Sequence, residues 1–187
     1  NIPYGEYLIK ELKPADGYLD NEDVFTVTIK NNEQVVELTA IKEKVPELKT
    51  TATVNGKKKA IAKGEITIKD TVEYKHLIPN TEYVIKGTLM DKSTGKPFKV
   101  KDKEITSTVK FVPDKTDGKV EVTFTFDGSA IKKDTKLVVF ETLYRDGVEL
   151  TAHTDINDDG QTVTIKPYIS HNPKTGDDRN INRILGI

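Results

Sequence analysis

The chain has 187 residues, room for one or two small domains, with 35% apolar and 32% charged side chains and a net charge of −1. Lysines and acids are interspersed, so no basic face points to nucleic acid and no acidic block to a tail. There is no cysteine, no apolar run approaching the ~18 residues of a membrane span, and no n-region or h-region of a signal peptide at the start. The composition gives a thin core under a heavily solvated surface. An extracellular β protein of this kind must be stabilised by something other than disulfides. The chain opens inside what reads as a folded unit, as a piece of a longer protein would.

Apolar and polar residues alternate in "DVFTVTIK" (23–30), "LKTTATV" (48–54), "EITIKDTVEY" (65–74), "EYVIKGTLM" (82–90), "KVEVTFTF" (119–126), "KLVVFETLY" (136–144) and "QTVTIK" (161–166). A period of two over this length predicts half-buried strands. Turn signals lie between them: "KSTGKP" (92–97), "PDKTDG" (113–118), "RDG" (145–147) and "NDDG" (157–160). Only "DGSAIKKDT" (127–135) suits a short helical turn. The pattern is that of an all-β, Ig-like sandwich. It divides into a three-strand piece at 1–44, a junction at "IKEKVPELK" (41–49), a complete sandwich at 46–168, and a tail at 169–187 that loses the alternation.

Strand parity places polar residues on inner faces. Thr50 shares a row with Leu48, Ala52 and Val54, while Thr51 and Thr53 point away. Asp70 lies among Ile66, Ile68, Val72 and Tyr74, and Gln161 lies with Val163 and Ile165. Glu141 lines up with Leu137, Val139 and Leu143, although the opposite row of Val138, Phe140 and Tyr144 is apolar too. Burying such groups singly costs roughly 2–7 kcal/mol for a neutral one and more for a carboxylate. Either they form a buried hydrogen-bond network, or they react with one another. His153 sits one position off the row of Val148, Leu150 and Ala152. A bulge turns it inward, or it is a surface histidine; parity favours the surface.

"DINDDG" (155–160) matches the opening of an EF-hand loop. The match then fails, because Lys166 stands where a bidentate Glu is needed. A polar hairpin turn accounts better for these acids, and no metal or cofactor is expected.

"VVFETLY", "HTDINDDGQTV", "LKTTATVNGKK" and "IKDTVEYKHLIPNTEYVIKGTLMDKSTGKP" resemble the Thr–Gln ester-bond domains, or VaFE repeats, of Gram-positive surface adhesins. The resemblance covers about 46–168. It implies an intramolecular ester between Thr50 and Gln161, assisted by Asp70, Glu141 and His153. The chemistry is coherent. A Thr hydroxyl needs a nearby base, and histidine, the side chain that titrates near physiological pH, is the natural one. Two carboxyls close together in an apolar site cannot both ionise, so one keeps a proton to give to the departing nitrogen. The reaction would run once per molecule, so turnover as an enzyme is not expected. Thr51 is the competing nucleophile, but it should face solvent.

"YGEYLIKELKPADGY" (4–18) resembles the C-terminal part of a Cna-B-type (SpaA-like) repeat, with Pro14 and Ala15 exchanged relative to that family's signature. There Glu11 would assist a Lys–Asn isopeptide bond. The Lys is absent from these residues, and Ala40 and Ile41 stand near the usual Asn, so no isopeptide is expected here. Glu11 could equally be a surface carboxylate. Asn172, Pro173, Lys174, Thr175 and Gly176 resemble an LPxTG-like sorting signal, which a sortase would cut after Thr175 to join the chain to peptidoglycan. Together these resemblances imply a monomeric, self-cross-linked stalk module of an adhesin, outside the cell and anchored to a Gram-positive wall. The alternative is a module that contacts a host or cell-surface ligand through sandwich loops, without a cross-link. Ligand contact by regions N-terminal to these residues is the other expectation. No aromatic cluster or charged groove supports loop binding.

Overall fold

The computed structural model describes residues 2–13, 23–37 and 45–169. In the first part, β1 (Gly5–Lys10) and β2 (Val24–Ile29) pair antiparallel, with Gly5 opposite Ile29. The expected third strand is not found there: residues 34–37 carry no regular structure, and 38–44 lie outside the described residues.

The second part is a two-layer sandwich. Its strands are β3 (Glu47–Val54), β4 (Lys59–Ala62), β5 (Glu65–Lys75), β6 (Tyr83–Asp91), β7 (Lys96–Pro97), β8 (Lys99–Val100), β9 (Lys103–Glu104), β10 (Thr106–Phe111), β11 (Gly118–Asp127), β12 (Thr135–Arg145), β13 (Val148–His153) and β14 (Thr162–Pro167). One sheet runs β11–β5–β3. The other runs β10–β6–β12–β14–β4, with β7 on β6 and β13 on β12; β8 and β9 form a separate ribbon. The helical turn expected in 127–135 is a short 3-10 helix, Gly128–Ala130, capped by the Asp127 side chain.

Inner rows of both sheets make the core. Ile66, Ile68 and Val72 of β5 and Val122 and Phe124 of β11 meet Tyr83, Ile85 and Leu89 of β6, Leu137, Val139 and Leu143 of β12, and Val163 and Ile165 of β14. Full burial of each such side chain contributes about 1.5–3 kcal/mol. The outer face of the small sheet carries charge pairs such as Lys69–Glu121 and Lys119–Glu73, which are exposed, screened by water and contribute little to stability.

Two features position the site. First, Asn55 and Gly56 both take positive φ (51° and 70°), a tight reversal that glycine and asparagine tolerate. It lets the chain leave β3, an edge strand of the small sheet, and cross to β4 in the other. Second, β13 and β14 run along the same edge of β12. His153 faces Glu141 at the end of β13, and Thr162 faces Val138 at the start of β14. The segment 154–161 is therefore an excursion within one strand line. The hairpin expected there is corrected: β13 and β14 pair with β12 and not with each other.

Candidate functional site

The strand pairings carry each expected side chain inward. Thr50 is opposite Val72 and 3% exposed, whereas Thr51 is exposed. Asp70 sits opposite Ala52, two residues along from Thr50, and is fully buried. The row of Glu141 proves to be the inner one, fully buried with Leu137, Val139 and Leu143. Gln161, at the foot of β14, is also fully buried, and its backbone carbonyl accepts from the Val139 amide at 3.1 Å.

A bulge resolves the histidine. Leu143 faces Thr151 but Tyr144 faces Glu149, so Leu150 is an extra residue in β13. The slip reverses parity beyond it: Ala152 is exposed, while Thr151 and His153 are half-buried. His153 thus lies cross-strand from Glu141, at the rim. Its Nε2 is 2.7 Å from Asp158 Oδ2 and its Nδ1 is 3.4 Å from the Leu48 carbonyl. The group against the Thr50 hydroxyl is Asp70.

The excursion 154–161 folds onto β3. The Ala52 amide donates to the Gly160 carbonyl at 2.9 Å, and Lys58 Nζ donates to the carbonyls of Ala52 (2.7 Å) and Gly160 (2.5 Å). Gly160 is packed so closely that a Cβ there would fall 2.8 Å from Asp158 Oδ1 and 3.5 Å from the Thr50 carbonyl. Gln161 is thereby held beside the Thr50 strand on one side and on β12 on the other.

The electrostatics follow from enclosure. Burial pushes the Asp70 carboxyl up, opposed by Glu141, the Thr50 hydroxyl, the Lys58 charge and the Thr51 amide. Burial also pushes Glu141 up, to about 10, and the Asp70 charge beside it adds to the rise. Of the two, Glu141 holds its proton through neutral pH. These contacts stop short of regular hydrogen bonds: Thr50 Oγ1, both oxygens of Asp70 and of Glu141, and both amide atoms of Gln161 are buried without a partner. Among the described residues, Glu11 Oε2 is the one other such atom. At the rim, burial would raise the Asp158 carboxyl, but His153 and the Gly160 and Gln161 amides outweigh it and hold it low. Burial lowers the Lys58 ammonium, and Asp70, Asp158 and Asp159 partly offset that.

A fully satisfied hydrogen-bond network is therefore not what these four strands assemble. Native interiors rarely leave buried polar groups unpaired, and each unpaired one costs about 1–3 kcal/mol. Here all such atoms of the sandwich gather on one Thr, one Asp, one Glu and one Gln.

The family of T-Q ester bond containing domains matches residues 46–165. The chain belongs to that family. Residues 1–44 match the SpaA prealbumin-like fold domain. Among solved structures, a Mobiluncus mulieris bacterial adhesin containing intramolecular disulfide, isopeptide and ester bond cross-links, determined in two crystal forms, superposes with TM-scores of 0.56 and 0.57. Its sequence identity is 20% and 21%, and the match covers 67% of this chain and 58% of that one. That likeness concerns the fold. No curated protein matches.

Two residues that border this cluster, Asp158 and Lys58, are not marked by the sequence pattern. Asp158 passed as a turn acid, although its spacing from His153 across the excursion was the available signal. Lys58 is one of three consecutive lysines, and nothing local distinguishes it from Lys57 and Lys59. Asn172 to Gly176 lie outside the described residues.

Proposed function

We propose that residues 46–168 form a self-cross-linking stalk module. Thr50 Oγ1 bonds to the Gln161 side-chain carbonyl carbon, the C–N bond of the amide breaks, and the nitrogen leaves as ammonia. Asp70 takes the hydroxyl proton. Glu141, protonated at neutral pH, gives its proton to the departing nitrogen. His153, oriented by Asp158 and half-open to water, relays protons between the buried pair and solvent. No cofactor enters. Holding the two partners in place makes the attack unimolecular, which removes roughly 7–11 kcal/mol from the barrier. The dry surroundings then keep water from the ester.

The observation that carries this reading is the cluster of buried, unpartnered atoms on Thr50, Asp70, Glu141 and Gln161. Membership of the ester-bond family supports it. The bond would join β3 and β14, where the chain enters and leaves the sandwich, so tension would pass through covalent bonds. With the resemblances at either end, this suits the shaft of a wall-anchored bacterial adhesin, joined to peptidoglycan by a sortase acting at Thr175. Intact mass tests the bond: the wild-type chain should be lighter by one ammonia, and Thr50→Ala or Gln161→Ala should restore the full mass. A wild-type chain of unmodified mass would sink the cross-link. Incubating the full protein with a sortase and a glycine nucleophile tests the tail; a chain left uncut would remove the wall attachment.

A further inference from the structure

We propose that Lys58 is a positioning residue for cross-linking: its ammonium ties the peptide ahead of Gln161 to the strand of Thr50 and faces Asp70 with a positive charge. This rests on the ester reading above.

Lys58 sits where three elements meet. The Asn55–Gly56 reversal is closed by Val54 and Lys57, whose amides and carbonyls exchange bonds of 2.8 and 3.0 Å. That folds the following residue back over β3. The Lys58 carbonyl accepts from the Thr164 amide at 2.8 Å, fixing its main chain to β14. Its Nζ reaches the Ala52 carbonyl on β3 and the Gly160 carbonyl just before the electrophile. The Gly160 carbonyl thus has two donors from the Thr50 side, Lys58 Nζ and the Ala52 amide. A carbonyl gripped in this way cannot swing Gln161 away from Thr50, and misplacement of a reacting group by about 1 Å can cost 10²-fold in rate.

The charges point the same way. Lys58 faces Asp70 of β5 and Asp158 and Asp159 of the excursion. Asp70 faces Glu141 of β12 and the Thr50 hydroxyl on its other sides, and Asp158 is shared with His153 of β13. Lys58 is the cation that favours an ionised Asp70 over an ionised Glu141. Without it, Asp70 keeps Glu141, the Thr50 hydroxyl and the Thr51 amide as neighbours but loses its cation, and the base becomes available only at higher pH.

The test uses the full chain as wild type, Lys58→Met, Lys58→Gln, Lys58→Arg and Thr50→Ala. Each is recovered from a short synthesis quenched in guanidinium, diluted into buffers of stepped pH, and followed by intact mass and circular dichroism. Lys58→Met should regain the β signature yet lose ammonia about 10²-fold more slowly, with its rate-versus-pH curve displaced upward. Lys58→Arg should restore most of the rate and the original curve. Lys58→Gln, which keeps a donor for the two carbonyls, should show the displaced curve with a smaller loss of rate, and it stands in if Lys58→Met does not fold. A linked wild type beside neutral variants that link equally fast, with an undisplaced curve, overturns the role of Lys58 alone. So does an equal slowing of the Met, Gln and Arg variants without displacement, which marks mere structural support. A wild type that stays at its own full unlinked mass, with no ammonia lost at any pH, overturns the ester reading and this one with it.

Discussion

At the level of single residues, the site separates two adjacent threonines that share all local chemistry. Thr50 is enclosed beside Asp70 and Thr51 faces water. Thr51→Ala should still lose one ammonia from its own calculated mass and melt close to wild type. Thr50→Ala should abolish ammonia loss and lower stability by about 4.7 kcal/mol, the chain-entropy value for a cross-link closing a loop of roughly 100 residues; chemical denaturation measures it. Glu141→Gln keeps the shape of a neutral side chain but has no acid proton to give. It should fold and link about 10²–10⁴-fold more slowly, read by intact mass over time. The unlinked Thr50→Ala protein should also reveal the acid pair through pH. Asp70 and Glu141 are both raised on folding, so the folded state binds more protons than the unfolded one above their ordinary values of 3.8 and 4.5. Stability should therefore be fullest at and below that range and decline as pH climbs toward about 10. Asp158, which is depressed, acts in the other direction and withdraws its contribution only as pH falls through the acid range. Urea midpoints at mildly acidic and mildly alkaline pH check the sign.

At the level of strands, two local features shape the cluster, one bulged residue and one missing side chain. Leu150 is the bulged residue. Deleting Leu150 should remove the bulge yet keep Thr151 opposite Leu143 and His153 opposite Glu141, so linking should persist, read by intact mass over time. Gly87 is the missing side chain. It pairs with Glu141 across β6 and β12, and a Cβ there would lie 2.5 Å from the Phe124 ring and 3.3 Å from Val122. Gly87→Ala should destabilise by about 1–3 kcal/mol through overpacking, measured in the unlinked Thr50→Ala background. Neither feature could be read from a strand alone. A bulge shows itself only against a partner's register, and the space above Gly87 is filled by a ring from the other sheet. The ambiguity of Glu141 had the same origin: β12 has apolar side chains on both rows, and only stacking against β5 and β11 selects the inner one.

For the molecule as a whole, the consequence is mechanical. β3 and β14 belong to different sheets, and the proposed bond spans them near the points where the chain enters and leaves. Pulled from its ends, the wild-type sandwich should show no unfolding step for the residues inside the loop. Thr50→Ala should release them in one event of roughly 350–400 Å, at about 3.5 Å per residue. Single-molecule force spectroscopy distinguishes the two. The hydrogen-bonded edges alone would have to resist that load in the variant.

Alternation by itself determined a good deal: the all-β class, most strand positions, and the inward placement of Thr50, Asp70 and Gln161. A two-residue period is a local property that each segment carries with it. The tertiary structure decided the rest. It set the inner row of β12, turned His153 through a bulge, laid β13 and β14 along one edge of β12, and recruited Asp158 and Lys58. Most of those outcomes depend on partners up to about a hundred residues away, brought near by loop closure and sheet stacking; His153 and Asp158 are close in sequence, but only the fold of the excursion onto β3 brings their side chains together.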